Sequence, residues 1–334
     1  MSTGFRIPPT KLLVLVPSYR HAKYLAARME SILSQTWKGD MHVLVVDDAS
    51  PDNTEEVLRR YEDRANVTIY RRPKNSGSPF SAWQDVAERA DCEFVWVAES
   101  DDACELGFVE AGMRAFEENP SGVLYYVHSW YTTSSDELCG HSLNYLRQHF
   151  PSIDWMQSQK IAGADYNNRA QIFGNALPNM SSALMRMDAF RKAFDKSYRQ
   201  FRLAADWCFV GRLAAQGDVL FDRRTDNYFR THEATSRAST KLELTCAEYW
   251  RAISLIGDLP GVEKRNTQES LERTLQMFLY ERGSITKVAK ASLNFSIGHN
   301  LRLANRFLMH STRRPEVKSL VRHYFTRPSP NATA

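Results

Sequence analysis

Short apolar runs and amphipathic stretches take turns along the first half of the chain. The runs Leu12–Val16, His42–Val46, Val67–Tyr70, Phe94–Ala98 and Val123–Val127 are rich in β-branched or aromatic residues and bounded by polar ones. They predict buried strands. Between them, Tyr24–Gln35, Thr54–Asp63, Phe80–Arg89 and Leu106–Glu118 have the amphipathic pattern of helices. Ser50 is suited to cap the second helix with Pro51 in its first position, and Pro120 stops the fourth. This alternation predicts an α/β fold: a mostly parallel sheet flanked by helices on right-handed crossovers.

From about Thr132 to Asn175 the pattern dissolves into polar, aromatic-rich sequence. That length is too great for a plain loop and predicts short helices or a flap. Regular patterning returns with a strand at Ser181–Met187 and a helix at Ala204–Gln216, ended by Gly217. Val219–Phe221 and Asn227–Phe229 read as two short strands. Beyond Ser239 the chain reads as helical, with Leu271, Leu275 and Phe278 and then Ile297, Leu301, Ala304 and Leu308 at helical spacing.

The 334 residues accommodate one large domain with an appendage, or two domains. No apolar run approaches the roughly 20 residues that span a bilayer, and Leu12–Val16 is too short for the core of a signal peptide. Five scattered cysteines without a C-x-x-C pair predict reduced thiols and a cytoplasmic setting. The net charge of +4 gives no reason to expect a nucleic-acid partner. Its distribution changes the picture: from Gly283 to Ala334 nine Lys or Arg face Glu316 alone. This basic C-terminal region suits peripheral contact with the anionic inner face of a membrane, or with an acidic partner, as well as a solvated face.

Ligands of open parallel sheets bind beyond the carboxyl ends of the strands. Four polar loops fall there: Pro17-Ser18-Tyr19, Asp47-Asp48-Ala49-Ser50, Arg71 to Gly77, and Glu99-Ser100-Asp101-Asp102. Like charges as dense as those of the last loop repel unless a cation or solvent compensates them. Mg²⁺ and Mn²⁺ take such oxygen ligands together with substrate phosphates. Asp48 is suited to accept from a base N–H or a ribose hydroxyl, and equally to organise its own turn. Arg71, Arg72 and Lys74 can screen phosphates or lie solvated.

The stretches VPSYRHAKYL, SILSQTW, VVDDASPDNT, NSGSPFSAW and FVWVAESDD, in this order and spacing, resemble glycosyltransferase family 2. The likeness extends through ADWCFVGRLAAQG and YFRTHEATSR, over roughly residues 11–240. The resemblance implies the GT-A fold, Rossmann-like, with an inverting mechanism. It implies a nucleotide site at Pro17, Tyr19 and Asp48, with Asp101 on the ribose and diphosphate side and Arg71 and Gly77 in the donor loop. It implies metal contact at Asp102, with Glu99 and His232 beside it, and a catalytic base at Asp206. Asn175, Asn179, Ser181 and Ser182 resemble an acceptor-side strip. Two departures stand out: Glu99 where the family often has Asp, and Ala205 where it often has Glu.

The expected organisation is an extension at 1–10, a GT-A domain at 11–240, a helical C-terminal region at 241–326 and a tail at 327–334. The expected activity is transfer from a nucleotide-diphosphate sugar, with uridine diphosphate favoured, to a hydroxyl of a glycan or lipid-linked acceptor, in polysaccharide synthesis for the cell envelope. Mn²⁺ or Mg²⁺ would assist. One rival is a sugar-phosphate nucleotidylyltransferase, disfavoured because VPSYRHAKY lacks a glycine-rich phosphate loop. Another is a catalytically silent sugar-binding or scaffold protein, which would have no need of Asp102 and Asp206.

Overall fold

The computed structural model describes residues 5–231 and 242–282. His232 and the basic stretch from Gly283 lie outside the described residues, and with them the expected membrane contact. The chain divides into two compact units, one of Met1–Ser239 with Ala252–Ser270 and one of Thr240–Arg251 with Leu271–Ala334.

The first unit begins as the periodicity predicts. Strand β1 (Thr10–Ser18), helix α1 (Ala22–Leu33), β2 (Met41–Asp47), α2 (Thr54–Leu58), β3 (Val67–Arg71), α3 (Phe80–Arg89) and β4 (Cys92–Val97) alternate. Their strands pair in parallel in the order β3-β2-β1-β4. Leu12 to Val16 of β1 are all fully buried, because helices cover both faces of a parallel sheet. On one face Leu25 and Met29 of α1 join Val14, Trp96 and Phe108 in the core. Another core cluster packs Trp83 of α3 against Phe190 and Phe209, with ring centroids 5.8 and 5.0 Å away.

Helix α2 starts at Thr54, where the amphipathic stretch begins, but its cap differs from the expected one. Its N-cap is Asn53 rather than Ser50, so Pro51 precedes the helix. Ser50 is used elsewhere: its hydroxyl accepts the Arg20 N–H and its own N–H donates to Asp47.

Beyond β4 the sheet becomes mixed. β5 (Ala103–Cys104), α4 (Phe108–Glu118) and β6 (Gly122–Thr132) lead to β7 (Leu138–His141), α5 (Ser142–His149), β8 (Gln159–Ile161) and α6 (Gly163–Tyr166). β9 (Ala183–Arg186), α7 (Met187–Ala193), α8 (Ala205–Ala214) and β10 (Asp218–Arg230) follow. The full order is β3-β2-β1-β4-β9-β6-β10-β5, with β7 on β6 and β8 on β10. β9 runs antiparallel between β4 and β6, whereas β6 and β10 are parallel. The stretch after Thr132 thus holds short strands and helices, and the two strands expected at the end are one. β10 stays continuous because its ladder to β6 absorbs an irregularity between Asp222 and Asn227. The helices expected next are α9 (Leu242–Gly257) and α10 (Lys264–Arg282).

Gly163, at the start of α6, packs directly on the end of α8. A Cβ there would lie 1.7 Å from the Ala214 carbonyl oxygen and 2.3 Å from that of Gly217. Neither backbone can retreat without shifting the helix that carries Asp206. Gly163→Ala is therefore expected to cost about 3 kcal/mol or more, read as a fall in the urea midpoint at constant slope.

Candidate active site

The carboxyl ends of β1, β2 and β4 place three of the four polar loops on one rim. β1 runs beside β2 in the register Val16↔Val45, Pro17↔Val46 and Ser18↔Asp47. Tyr19 follows at the rim, 40% exposed. Asp47 is buried and organises its own turn through the Ser50 N–H. Asp48 faces the next loop. Its carboxylate accepts the Ser76 N–H at 3.0 Å and the Ser76 hydroxyl at 2.8 Å, and pairs with Arg72 at 3.4 Å. Ala49 between these groups sits at φ 59, a left-handed conformation that costs a side-chain-bearing residue about 1–2 kcal/mol.

The loop after β3 separates its basic residues. Arg71 turns away to Glu62 at 2.8 Å, while Arg72 turns inward to Asp48 and Asp85. Gly77 takes φ 76, and nothing lies within 4 Å of where its Cβ would be. That leaves open space beside the Asp48–Ser76 contact.

The acidic turn after β4 is the most heavily charged part of the rim. The Glu99 N–H donates to Ser181 Oγ at 2.9 Å. Ser100 is buried with its hydroxyl 2.9 Å from His21 Nδ1, and Asp101 Oδ1 lies 3.8 Å from the same nitrogen. Asp101 keeps its side chain 15% exposed. Asp102 is only 2% exposed and is tied at both oxygens. Oδ2 accepts from Asn179 Nδ2 at 2.6 Å and Oδ1 from the Arg230 N–H at 3.0 Å. Asn179 is held in turn by Asn227, which also donates to Ser129.

These carboxyls perturb one another. Burial, then the charges of Asp102, Asp101 and Asp206, lifts Glu99 well above the usual carboxylate range. Burial and Asp101 push Asp102 up to about 7. Arg28 opposes both shifts. It lies fully buried on α1, with its guanidinium 4.7 Å from the Trp96 ring centre. Among the described residues its three nitrogens make no hydrogen bond to oxygen or nitrogen, and the Cys104 thiol is a polar neighbour.

Asp206 comes from a separate element, in the first turn of α8. Ala204 is the N-cap, so Asp206 does not serve as one. Its Oδ1 accepts the Trp207 N–H at 2.8 Å and its Oδ2 accepts from Asn175 Nδ2 at 3.0 Å. Trp207 is buried with its indole N–H on the Gln171 carbonyl, so it packs the core beneath Asp206. The strip read as acceptor-side therefore divides: Asn175 holds Asp206, whereas Asn179 and Ser181 hold the acidic turn.

Arg28 carries no signal as a site residue in the linear sequence, and His21 and Arg230, although they fall in VPSYRHAKYL and YFRTHEATSR, carry none that names their partners. His21 follows a tight loop, Arg28 sits on the apolar side of α1, and Arg230 ends a strand. Only the approach of separate elements gives them their partners.

With its pKa near 7 against an ordinary value near 4, Asp102 holds its proton more tightly in the folded chain than in the unfolded one. Its contribution favours folding in acid and is lost as pH rises through about 7. In chelator, the stability of the wild type relative to Asp102→Asn should thus fall between about pH 4 and pH 7. Urea denaturation at several pH values measures it. A pH-independent difference would mean that Asp102 does not titrate there.

Comparison with known proteins bears on the same elements. The family model for glycosyl transferase family 2 matches residues 13–193. A poly(ribitol-phosphate) β-N-acetylglucosaminyltransferase, TarS, of Staphylococcus aureus is 30% identical over 115 residues, covering 34% of this chain and 20% of that protein. The chain thus spans about a fifth of the length of that curated relative. An uncharacterised glycosyltransferase of Nostoc sp. is 24% identical over 237 residues, 69% of this chain and 67% of its own length. Among solved structures, residues 1–349 of S. aureus TarS in complex with UDP-GlcNAc superpose with a TM-score of 0.60 at 18% identity, covering 88% of this chain and 79% of that one. A mannosyltransferase of Pyrobaculum calidifontis in complex with GDP-Man and Mn²⁺ gives 0.55 at 13% identity, covering 94% and 83%. The shared architecture is the GT-A fold, and with more than half of its residues under the family model, this chain belongs to glycosyl transferase family 2.

Proposed function

We propose that this protein transfers a sugar, with inversion, from a nucleotide-diphosphate sugar to a hydroxyl of a glycan or lipid-linked acceptor. The observation that carries this reading is the convergence of the acidic turn and Asp206, close enough that the Asp206 charge acts on Glu99. The acidic turn suits a donor diphosphate that shares a divalent cation with it, and Asp206 suits an acceptor. A nucleotide sugar as donor is also supported by the UDP-GlcNAc and GDP-Man held by the structural neighbours. Uridine diphosphate is the favoured nucleotide, and the S. aureus relative points to a cell-envelope polymer as the acceptor. The reading places the enzyme at the cytoplasmic side of the cell, with the basic C-terminal region as its contact with the membrane.

In this reading Tyr19 lies against the base, with Pro17 and Asp48 lining the nucleoside site. The β3–α3 loop around Gly77 leaves room for it. The oxygen-only set Glu99, Asp101 and Asp102 suits Mn²⁺ or Mg²⁺. Among the described residues no three His, Cys, Asp or Glu side chains converge into a ready-made cage. One or two carboxylates sharing a cation with substrate phosphates need none. Burial and mutual repulsion of these carboxyls are further support, since a cation relieves both. The resemblance assigns the metal contact to Asp102 and the diphosphate side to Asp101; Asp101 is the more exposed of the two, and Asp102 is held at both oxygens by Asn179 and the Arg230 N–H. His232 is assigned beside them on the family resemblance. When bound, the cation stabilises the charge that develops on the leaving diphosphate.

Asp206 acts at the other face of the sugar. As the acceptor oxygen bonds to the anomeric carbon, its proton passes to the Asp206 carboxylate, and the bond to the diphosphate breaks behind it. Attack opposite the leaving group inverts the anomeric centre. Asn175 fixes one carboxylate oxygen and the Trp207 N–H holds the other.

Excess chelator should abolish transfer from a UDP-sugar, and Mn²⁺ or Mg²⁺ should restore it; full activity in chelator would refute the metal assignment. Asp206→Asn should lower turnover by about 10²–10⁴-fold while nucleotide-sugar affinity and melting temperature stay near wild type. Turnover close to wild type at saturating donor and acceptor would remove Asp206 as the base.

A further inference from the structure

β10 ends at Arg230, opposite Thr132 at the end of β6. The main-chain N–H of Arg230 already meets Asp102. Its side chain, 6% exposed, reaches further. Nε donates to the Asp101 carbonyl oxygen at 2.9 Å, Nη1 donates to the Thr133 carbonyl oxygen at 2.9 Å, and Nη2 pairs with Asp136 Oδ1 at 2.5 Å. The guanidinium also stands 4.5 Å from the Tyr24 ring centre. A guanidinium this deeply buried is costly unless its donors find acceptors. Its planar fork serves acceptors lying in different directions, which a single ammonium does not reproduce.

The β6–β7 turn does not need this clamp to close. Trp130↔His141 and Tyr131↔Gly140 already pair its strands, and the Thr133 N–H donates to the Glu137 carbonyl. Lys23 holds the Ser134 carbonyl as well. What Arg230 adds is a direct tie from that turn to the peptide of Asp101. Asp136 is 76% exposed, so one end of the tie reaches solvent while the other lies in the acidic turn.

We propose that Arg230 is a positioning residue for transfer: its guanidinium fixes the Asp101 peptide and the β6–β7 turn as one unit, so that the donor-side carboxylates keep their direction. The proposal rests on the function assigned above for what those carboxylates contact. A loosened β6–β7 turn is then felt at Asp101, although the two segments lie far apart in sequence.

Hydrogen–deuterium exchange of the metal-free chain, paired with Mn²⁺-dependent UDP binding, tests it in the wild type, Arg230→Lys and Asp136→Asn. Arg230→Lys keeps the charge but loses the fork. It should speed exchange in residues 99–104 and 133–137 together, by about tenfold, with the β1–β4 core unchanged. The Mn²⁺ concentration for half-maximal UDP binding should rise about 10–100-fold. Asp136→Asn, a change at an exposed pair, should speed exchange in the same two segments to a smaller extent. Faster exchange confined to 133–137, with Mn²⁺ dependence as in the wild type, would make Arg230 a fastener of the hairpin and overturn the proposal. If Arg230→Lys does not fold, Asp136→Asn decides by the same criterion. A wild type that binds no UDP in Mn²⁺ would instead overturn the assigned function, and the exchange comparison would still decide the coupling.

Discussion

Carboxylates crowded into a shielded rim are the constraint on which the site depends. Glu99, Asp101 and Asp102 fall within four residues, and Asp206 arrives from another element to add to the same field. Close to the protein interior such charges repel strongly and lose hydration. The surroundings answer with peptide N–H groups, the Asn179 amide and the buried Arg28 guanidinium. The compensation is partial, which is why Glu99 and Asp102 stay well above the ordinary carboxylate range. The rim is left short of positive charge, which is what the proposed cation would supply.

The topology delivers each part of that compensation. The parallel strands β1, β2 and β4 end on one side, so the polar loops after β1 and β2 and the acidic turn share it. β9 then inserts antiparallel between β4 and β6. Its direction brings the segment just before it, with Asn179 and Ser181, up against the acidic turn. β10 finishes beside Asp102, and α8 starts where Asn175 can hold Asp206. Each polar group is thus supported by a rigid element, which limits the rearrangement needed as charge moves in the reaction.

Much of this was legible in the sequence. Runs such as Leu12–Val16 and His42–Val46 have no alternative to burial, and the amphipathic stretches between them must cover a sheet. That settles the α/β core and the side on which the polar loops gather. Dense local motifs such as Glu99-Ser100-Asp101-Asp102 announce their chemistry because the repulsion is built into adjacent residues. The cap of α2 was misread because Ser50 and Asn53 both suit an N-cap, and only the chain arriving at Arg20 decides that Ser50 is taken.

The rest depended on contacts between distant segments. Nothing local distinguishes Arg71 from Arg72, yet one meets Glu62 and the other Asp48, because successive residues at a strand end point in opposite directions. Asn175 and Asn179 look alike in the sequence and serve different carboxylates. Arg28 has no motif at all, and Arg230 lies in a matched stretch that says nothing of its partners. The sequence by itself determined the hydrophobic pattern, hence the core, and the residue types at the strand ends, hence the kind of chemistry. Only the tertiary structure decided which charges face one another, because hydrogen bonds and Coulomb interactions act through distance in space, and the linear order does not contain that distance.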